Sequence, residues 1–282
     1  MFMYGTKLCL ATSGQFGIPV EDQISLFKKV GFDGFFVYWG RGVDIAAYKK
    51  LADEENMIFQ SIHAPYRKMD QMWEMEDAKE AVEELIQCLH DCYDNDIPIM
   101  VVHAYIGFTK HEPTPFGLRN FEKVVKEAEK LKKVKIAFEN TEGEEYLAAL
   151  MEHFSSSEQV GFCWDTSHEI CYNHGKDMLA LYGDKLIATH INDNLGIRDY
   201  DGKITYIDDL HMLPFDGIAD WKDIVGRLNQ HGFNDILTFE LNTKSKPGRH
   251  ENDVYDRMDI ELYVTEVFKR ACRVAAMKQR VM

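Results

Sequence analysis

Short apolar runs alternate with longer amphipathic stretches along the whole chain. Eight runs, at about 6–12, 34–38, 58–63, 99–104, 134–139, 160–165, 186–191 and 236–241, are nearly continuous in apolar residues. Runs of this length read as strands buried on both faces. Helical periodicity fills the intervals near 20–30, 44–55, 72–94, 116–132, 143–153, 175–182, 219–231 and 252–278. Strand then helix, repeated, predicts parallel strands joined by right-handed crossovers. Eight repeats in 282 residues predict a single-domain (β/α)8 barrel of the α/β class over residues 1–282, with a doubly wound open sheet as the alternative. Val30-Gly31-Phe32-Asp33-Gly34 ends one helix on glycine and starts the next strand, and His231-Gly232-Phe233-Asn234-Asp235 repeats that turn before the last run. The longest irregular region, about 192–218, is rich in glycine, aspartate and proline and predicts a functional loop at the barrel mouth.

Acids and histidines fall at the ends of the runs. The third ends in Ser61-Ile62-His63, the fourth in Val101-Val102-His103 and the fifth in Ala137-Phe138-Glu139. The sixth ends in Cys163-Trp164-Asp165, the seventh in Ala188-Thr189-His190 and the eighth in Thr238-Phe239-Glu240. In a parallel barrel all strand C-termini share one rim, so these six ends converge on one mouth. Taken singly, each has an ordinary reading: a hydrogen-bonded core histidine, an exposed glutamate, or, for Asp165-Thr166-Ser167, a helix N-cap. Together they are different. Several carboxylates buried around one axis without a cation would repel one another and lose their hydration, at a cost of many kcal/mol. A divalent metal removes that cost.

Charge and cysteine content narrow the function classes. The formal net charge of -15 opposes phosphate polymers and anionic lipid surfaces, which argues against nucleic-acid and membrane partners. No apolar run reaches membrane-spanning length, and Met-Phe-Met-Tyr-Gly-Thr-Lys at the N-terminus lacks the core of a signal peptide. The six cysteines form no C-x-x-C pair and read as reduced core thiols, so a cytoplasmic location is expected. Val264, Val267, Phe268, Ala271 and Val274 recur at helical spacing in the last helix; they would pack on the barrel or on a second subunit, which leaves a homo-oligomer open. Trp221 reads as an anchor of its helix to the barrel.

The motifs H-A-P at 63–65, V-V-H at 101–103, F-E-N-T at 138–141, W-D-T-S-H at 164–168, H-I-N-D at 190–193, D-x-H at 209–211 and F-E-L at 239–241 occur in that order over most of the chain. In this the chain resembles the xylose isomerase-like barrel superfamily, which holds sugar isomerases and epimerases, inositol-catabolism barrels and the endonuclease IV group. The motif set is specific for the superfamily and poor at naming a substrate. The resemblance implies that Glu139, Asp165, His190 and Glu240 form a shared metal site, and that Glu139 and Glu240 are acid/base partners. Three oxygen donors and one imidazole suit Mn, Mg, Co or Zn. It also implies substrate contacts from Glu145 and His168, the latter otherwise a hydrogen-bond partner of a metal ligand. The implied activity is metal-dependent isomerisation or epimerisation of a sugar or sugar phosphate through a metal-stabilised enediolate.

Three further readings stay open. His63, His103, His168, Asp209 and His211 match the additional ligands of endonuclease IV, which would make the protein a multi-zinc phosphodiesterase. Against it stand the net charge and His211-Met212-Leu213-Pro214-Phe215-Asp216-Gly217, which departs from that enzyme's continuation. The others are an inositol-type dehydratase and a non-catalytic metal-binding barrel. The loop Lys244-Ser245-Lys246-Pro247-Gly248-Arg249 follows the eighth run, where barrels often hold phosphate, so Lys246, with Arg198 and Lys203 as a lid, is a candidate for a sugar phosphate. Trp39 ends the second run and is a candidate to stack on a sugar face, or plain rim packing.

Overall fold

The protein is described by a computed structural model that covers residues 5–109, 112–198 and 203–278; Met1 to Tyr4, where the N-terminal stretch was read, lie outside them. Every apolar run is a strand of one parallel sheet. The strands are β1 (Leu8–Ala11), β2 (Gly34–Tyr38), β3 (Ile58–His63), β4 (Ile99–His103), β5 (Lys135–Glu139), β6 (Val160–Asp165), β7 (Leu186–His190) and β8 (Leu237–Phe239). The sheet runs β7-β6-β5-β4-β3-β2-β1-β8, each strand beside its sequence neighbour and β8 beside β1. Closure from β7 to β8 rests on a parallel bridge between Ile191 and Phe239. The Ile191 N–H donates to Thr238 O at 2.8 Å, and the Glu240 N–H to Ile191 O at 3.3 Å. This is a single-domain (β/α)8 barrel, as the alternation predicts; the open-sheet alternative is overturned by the bridge.

Strand alternation sorts the buried side chains into two layers. Val101, Ala137, Cys163 and Ala188 form a small cluster inside the barrel, from β4, β5, β6 and β7. Their neighbours Val102, Phe138, Phe162 and Trp164 point outward into the larger core beneath the helices. Small residues inside leave room for the ring of Phe36, which is fully buried and stacks on His190 with centroids 4.9 Å apart. Large apolar ones outside bury the helix faces and supply most of the hydrophobic stabilisation.

The helices depart from expectation at three places. The stretch 72–94 is two helices, Met69–Glu74 and Lys79–Asp94. Asn120 stops the first, its side-chain amide donating to Met72 O and Met75 O, both at 2.9 Å. A short helix, Thr166–Cys171, follows β6 directly; periodicity does not mark it, though the N-cap reading of Asp165 allows for it. The last helix is Ile260–Met277, eight residues shorter at its start than the periodicity suggested. Its Val264, Val267, Ala271 and Val274 are fully buried, and the Phe268 ring meets Phe32 with centroids 5.2 Å apart, so this face packs on the barrel. The cysteines are free thiols, and Cys9, Cys88, Cys92, Cys163 and Cys171 are buried. Among the described residues no helix is long and apolar enough to cross a membrane.

Candidate metal centre at the barrel mouth

Each strand from β2 to β7 ends in one chemically active residue, Tyr38, His63, His103, Glu139, Asp165 and His190, and Glu240 follows β8 directly. Glu139 lies two residues past Ala137, Asp165 two past Cys163, His190 two past Ala188, and His103 two past Val101. Each therefore shares the inward face with its small neighbour. Register completes the ring, because Tyr38 pairs with His63, His103 with Glu139, and Asp165 with His190.

Donor atoms of Glu139, Asp165, His190 and Glu240 all lie within 4.8 Å of one another, and all four residues are buried. Two further groups meet the same limit: His63 with Glu139 and His190, and Asp165 with His168 and His211. Nδ1 of His190 stands 3.0 Å from Glu139 Oε1 and 2.8 Å from Glu240 Oε2. Nε2 of His63 and Nε2 of His103 are each 3.4 Å from Glu139 Oε2. Across the mouth, Asp209 Oδ1 is 2.8 Å from His211 Nε2 and 3.3 Å from His168 Nε2. His211 adopts a left-handed backbone with φ 48, a conformation that strains a residue other than glycine. The nine acids and histidines read as metal ligands or additional ligands, Glu139, Asp165, His190, Glu240, His63, His103, His168, Asp209 and His211, are thus brought to one mouth, while Glu145 is not.

The donor set fits a divalent ion. Glu139 Oε2 and Glu240 Oε2 are buried without a hydrogen bond among the described residues. A buried carboxylate oxygen without a donor is costly, and a cation bonded at about 2.1 Å satisfies it. Asp165 fills two roles. Its Oδ1 caps the following helix by accepting from the His168 N–H at 2.7 Å, and its Oδ2 accepts from Asn192 Nδ2 at 2.8 Å. The N-cap reading and convergence on the cluster both hold. His168 Nδ1 is 2.9 Å from Asn140 O, an orientation that leaves Nε2 for the mouth.

Imidazoles balance the carboxylates in the ion-free protein. Burial pushes Glu139 upward, but His190, His103 and His63 outweigh it and hold the carboxyl well below its ordinary range. Burial likewise opposes charge on Glu240, yet His190 and His211 drive it down. Asp165 stays raised, because burial exceeds the attraction of His168 and His211. Burial lowers His63. Burial also disfavours protonated His211, but Asp209 and Glu240 bring it up to about 9. A histidine raised above its unfolded value of about 6.5 contributes stability present below pH 6.5 and lost as pH rises through the folded value. Metal-stripped protein is therefore expected to unfold at a lower urea concentration at pH 9.5 than at pH 6. Equal midpoints at the two values would remove the imidazolium balance. Because an ion displaces these protons, affinity for metal is expected to rise over the same window.

Above the cluster opens a cavity of about 480 Å³. Tyr38, Tyr66, Phe108, Tyr172 and Tyr206 supply its aromatic wall, and Gln15, Glu142, Asn242 and Lys246 its outer polar groups. Mixed aromatic and polar walls of this size suit a small polar molecule. The Tyr38 hydroxyl donates a short hydrogen bond to Glu240 Oε1.

Other sequence candidates lie elsewhere. Trp39 follows Tyr38 and so has the opposite strand parity; its Nε1 donates to Asp91 Oδ2 at 2.6 Å, and it lines a separate groove with Arg41 and Glu84. Glu145 sits exposed on the helix Glu144–His153, while Glu142, three residues earlier, faces the cavity. Arg198 is exposed, its guanidinium set against Gly248 rather than the cavity. Lys203 does not line it either. Of the basic loop, Arg249 pairs with Asp208 at 3.3 Å and Lys246 with Asp209 at 3.7 Å, so only Lys246 reaches the cavity. Tyr38 could have been found by the parity that marks Phe36 as inward. Glu142 sits in the loop after β5 and Tyr172 in the turn that ends the helix Thr166–Cys171, neither of which periodicity resolves.

A family profile described as xylose isomerase-like TIM barrel matches residues 24–259. An uncharacterized protein of Sinorhizobium fredii, y4fM, is 39% identical over 100 residues, 34% of this chain and 29% of that protein's length. Among solved structures, the IolI protein with a binding zinc atom superposes with a TM-score of 0.73 at 16% identity, covering 98% of this chain and 100% of that one. D-psicose 3-epimerase with D-tagatose, from Clostridium cellulolyticum H10, gives 0.73 at 15% identity, over 96% and 99%. A xylose isomerase domain protein from Planctomyces limnophilus gives 0.70 at 13%, over 97% and 99%.

Proposed function

The chain belongs to the xylose isomerase-like TIM-barrel family, and from that premise we propose that it is a metal-dependent sugar isomerase or epimerase, with Glu139 and Glu240 as its proton-transferring pair. The observation that carries the proposal is the convergence of Glu139, Asp165, His190 and Glu240 beneath a polar, aromatic-walled cavity. Relatives of the same fold include a zinc-bearing IolI and a ketose 3-epimerase, which supports the reading. An ion held by these four residues would supply Lewis acidity toward a sugar carbonyl and its neighbouring hydroxyl.

The rest of the chemistry falls to the side chains. Glu139 and Glu240 come from strands on different sides of the barrel and meet at His190. One carboxylate takes the proton from the carbinol carbon and the other returns one. Return to the opposite face of that carbon inverts it; return to the adjacent carbon exchanges aldose and ketose. Tyr38 holds Glu240 Oε1 and so fixes which oxygen faces His190. His168 and His211, tied to Asp209, line the cavity where a sugar would sit.

The test is solvent exchange. Metal-loaded protein incubated in deuterated water with a panel of aldoses and ketoses is expected to place deuterium next to the carbonyl, and chelation should stop it. No incorporation from any sugar by protein shown to hold metal would sink the proposal.

The two additional ligand groups favour one second reading, an endonuclease IV-like phosphodiesterase with several zinc ions. The net charge of -15 opposes it. Three ions per chain with cleavage of an abasic-site oligonucleotide, and no sugar exchange, would establish it instead.

A further inference from the structure

The cavity wall holds a carboxylate that the proposed proton transfer does not use and that belongs to none of the three ligand groups. Glu142 follows β5 by three residues, is 7% exposed, and lines the cavity together with Phe108, His168 and Tyr172. The backbone N–H of Gly107 donates to its Oε1 at 2.8 Å, which fixes the carboxylate from the β4 loop. Among the described residues no cation pairs with it. Tyr172 is 8% exposed, stands between Phe108 and His168 with ring centroids 5.7 and 5.0 Å away, and makes no side-chain hydrogen bond within the described residues. A charged acceptor anchored on one oxygen, beside a phenol without a protein partner, matches the donors and acceptors of a polyol's hydroxyls. It repels a phosphate ester. Among the described residues Lys246 is the lysine that lines the cavity, and it stands 3.7 Å from Asp209 Oδ2, on the side of His168 and His211 rather than beside Glu142.

The geometry points to Glu142 and Tyr172 as a hydroxyl-recognition subsite that restricts this site to uncharged polyols and excludes their terminal phosphates. The inference rests on the isomerase or epimerase reading for the identity of the ligand as a sugar. Neither residue belongs to the metal cluster, so both can be altered without touching it.

The test is equilibrium binding, which needs no turnover. Sorbitol and sorbitol 6-phosphate are titrated calorimetrically into metal-loaded wild type, Glu142→Gln and Tyr172→Phe. Gln keeps an acceptor for the Gly107 N–H and loses the charge, and Phe removes one hydroxyl, so both variants should retain the fold, checked by their unfolding midpoints. Wild type is expected to bind sorbitol at least tenfold more tightly than the phosphate. Glu142→Gln should weaken sorbitol about tenfold, the ordinary effect of one charge-assisted hydrogen bond, and narrow the preference. Tyr172→Phe should weaken both ligands alike. Tighter binding of the phosphate by wild type, or unchanged constants in Glu142→Gln, overturns the subsite. Loss of solvent exchange with the sorbitol preference intact would sink the reaction and leave the subsite standing.

Discussion

Glu240→Gln is expected to slow deuterium incorporation by about 10³- to 10⁴-fold, the upper range for removal of a general acid or base. The substitution is chosen for what it preserves. Glutamine keeps the shape and one carbonyl oxygen, which serves the Tyr38 hydroxyl or the cluster but not both, and it cannot carry a proton. Metal content should stay near that of wild type, and the thermal midpoint should move little. Asp165→Ala should do the reverse and lose metal first, because it removes a donor shared by two of the ligand groups. Tyr38→Phe should cost only about tenfold, since it frees Glu240 Oε1 without removing the carboxylate. Single-turnover exchange rates alongside metal analysis separate the three cases. Retention of a tenth or more of wild-type activity by metal-replete Glu240→Gln would take Glu240 out of proton transfer.

Asp193→Ala is expected to destabilise the protein by about 4 kcal/mol or more, although Asp193 touches neither the cluster nor the cavity. Its carboxylate is buried and accepts four hydrogen bonds. Oδ1 receives the N–H groups of Asn194 at 2.8 Å and Ala219 at 3.0 Å, and Oδ2 receives Phe215 N–H at 2.9 Å and Trp221 Nε1 at 3.0 Å. Those donors tie both ends of the loop after β7 to one point. Asp193 also pairs with Met212 in an antiparallel bridge, which sets His211 beside the mouth. Alanine leaves the donors buried, each at about 1–3 kcal/mol before relaxation, against a typical total of about 5–15 kcal/mol. Asn keeps one acceptor but turns an amide toward two of the donors, so Asp193→Asn should fall between. Gly217 is part of the same joint, because a Cβ there would meet Asp193 Oδ1 at 2.2 Å and Asn194 O at 2.3 Å. Urea unfolding measures the loss, and wild-type stability in Asp193→Ala would show that the loop is held by other contacts.

The strands and the ring of acids were legible because one rule governs both. A parallel strand buried on two faces is an apolar run, and its C-terminal residue lies on the rim. The same rule, carried one residue further, separates Tyr38 from Trp39, but only once strand parity is anchored by the small interior residues Val101, Ala137, Cys163 and Ala188. Asp165 could not be assigned to one role from its motif, since an N-cap and a rim carboxylate use the same residue at the same place. The outer wall was least legible. Glu142 reaches the cavity and Glu145 does not because the backbone turns through Gly143 at φ 73 before the helix begins, and no periodicity records such a turn. The loop of Lys244 to Arg249 read as basic, yet Asp208 and Asp209, some 40 residues earlier in the chain, largely neutralise it.

The barrel's hoop is weakest where β7 meets β8, since β8 is three residues long and only two backbone hydrogen bonds cross there. His190 ends one of those strands and Glu240 follows the other. An ion shared by them would be a rivet across the seam, so the group proposed to activate a sugar would also keep the staves from parting.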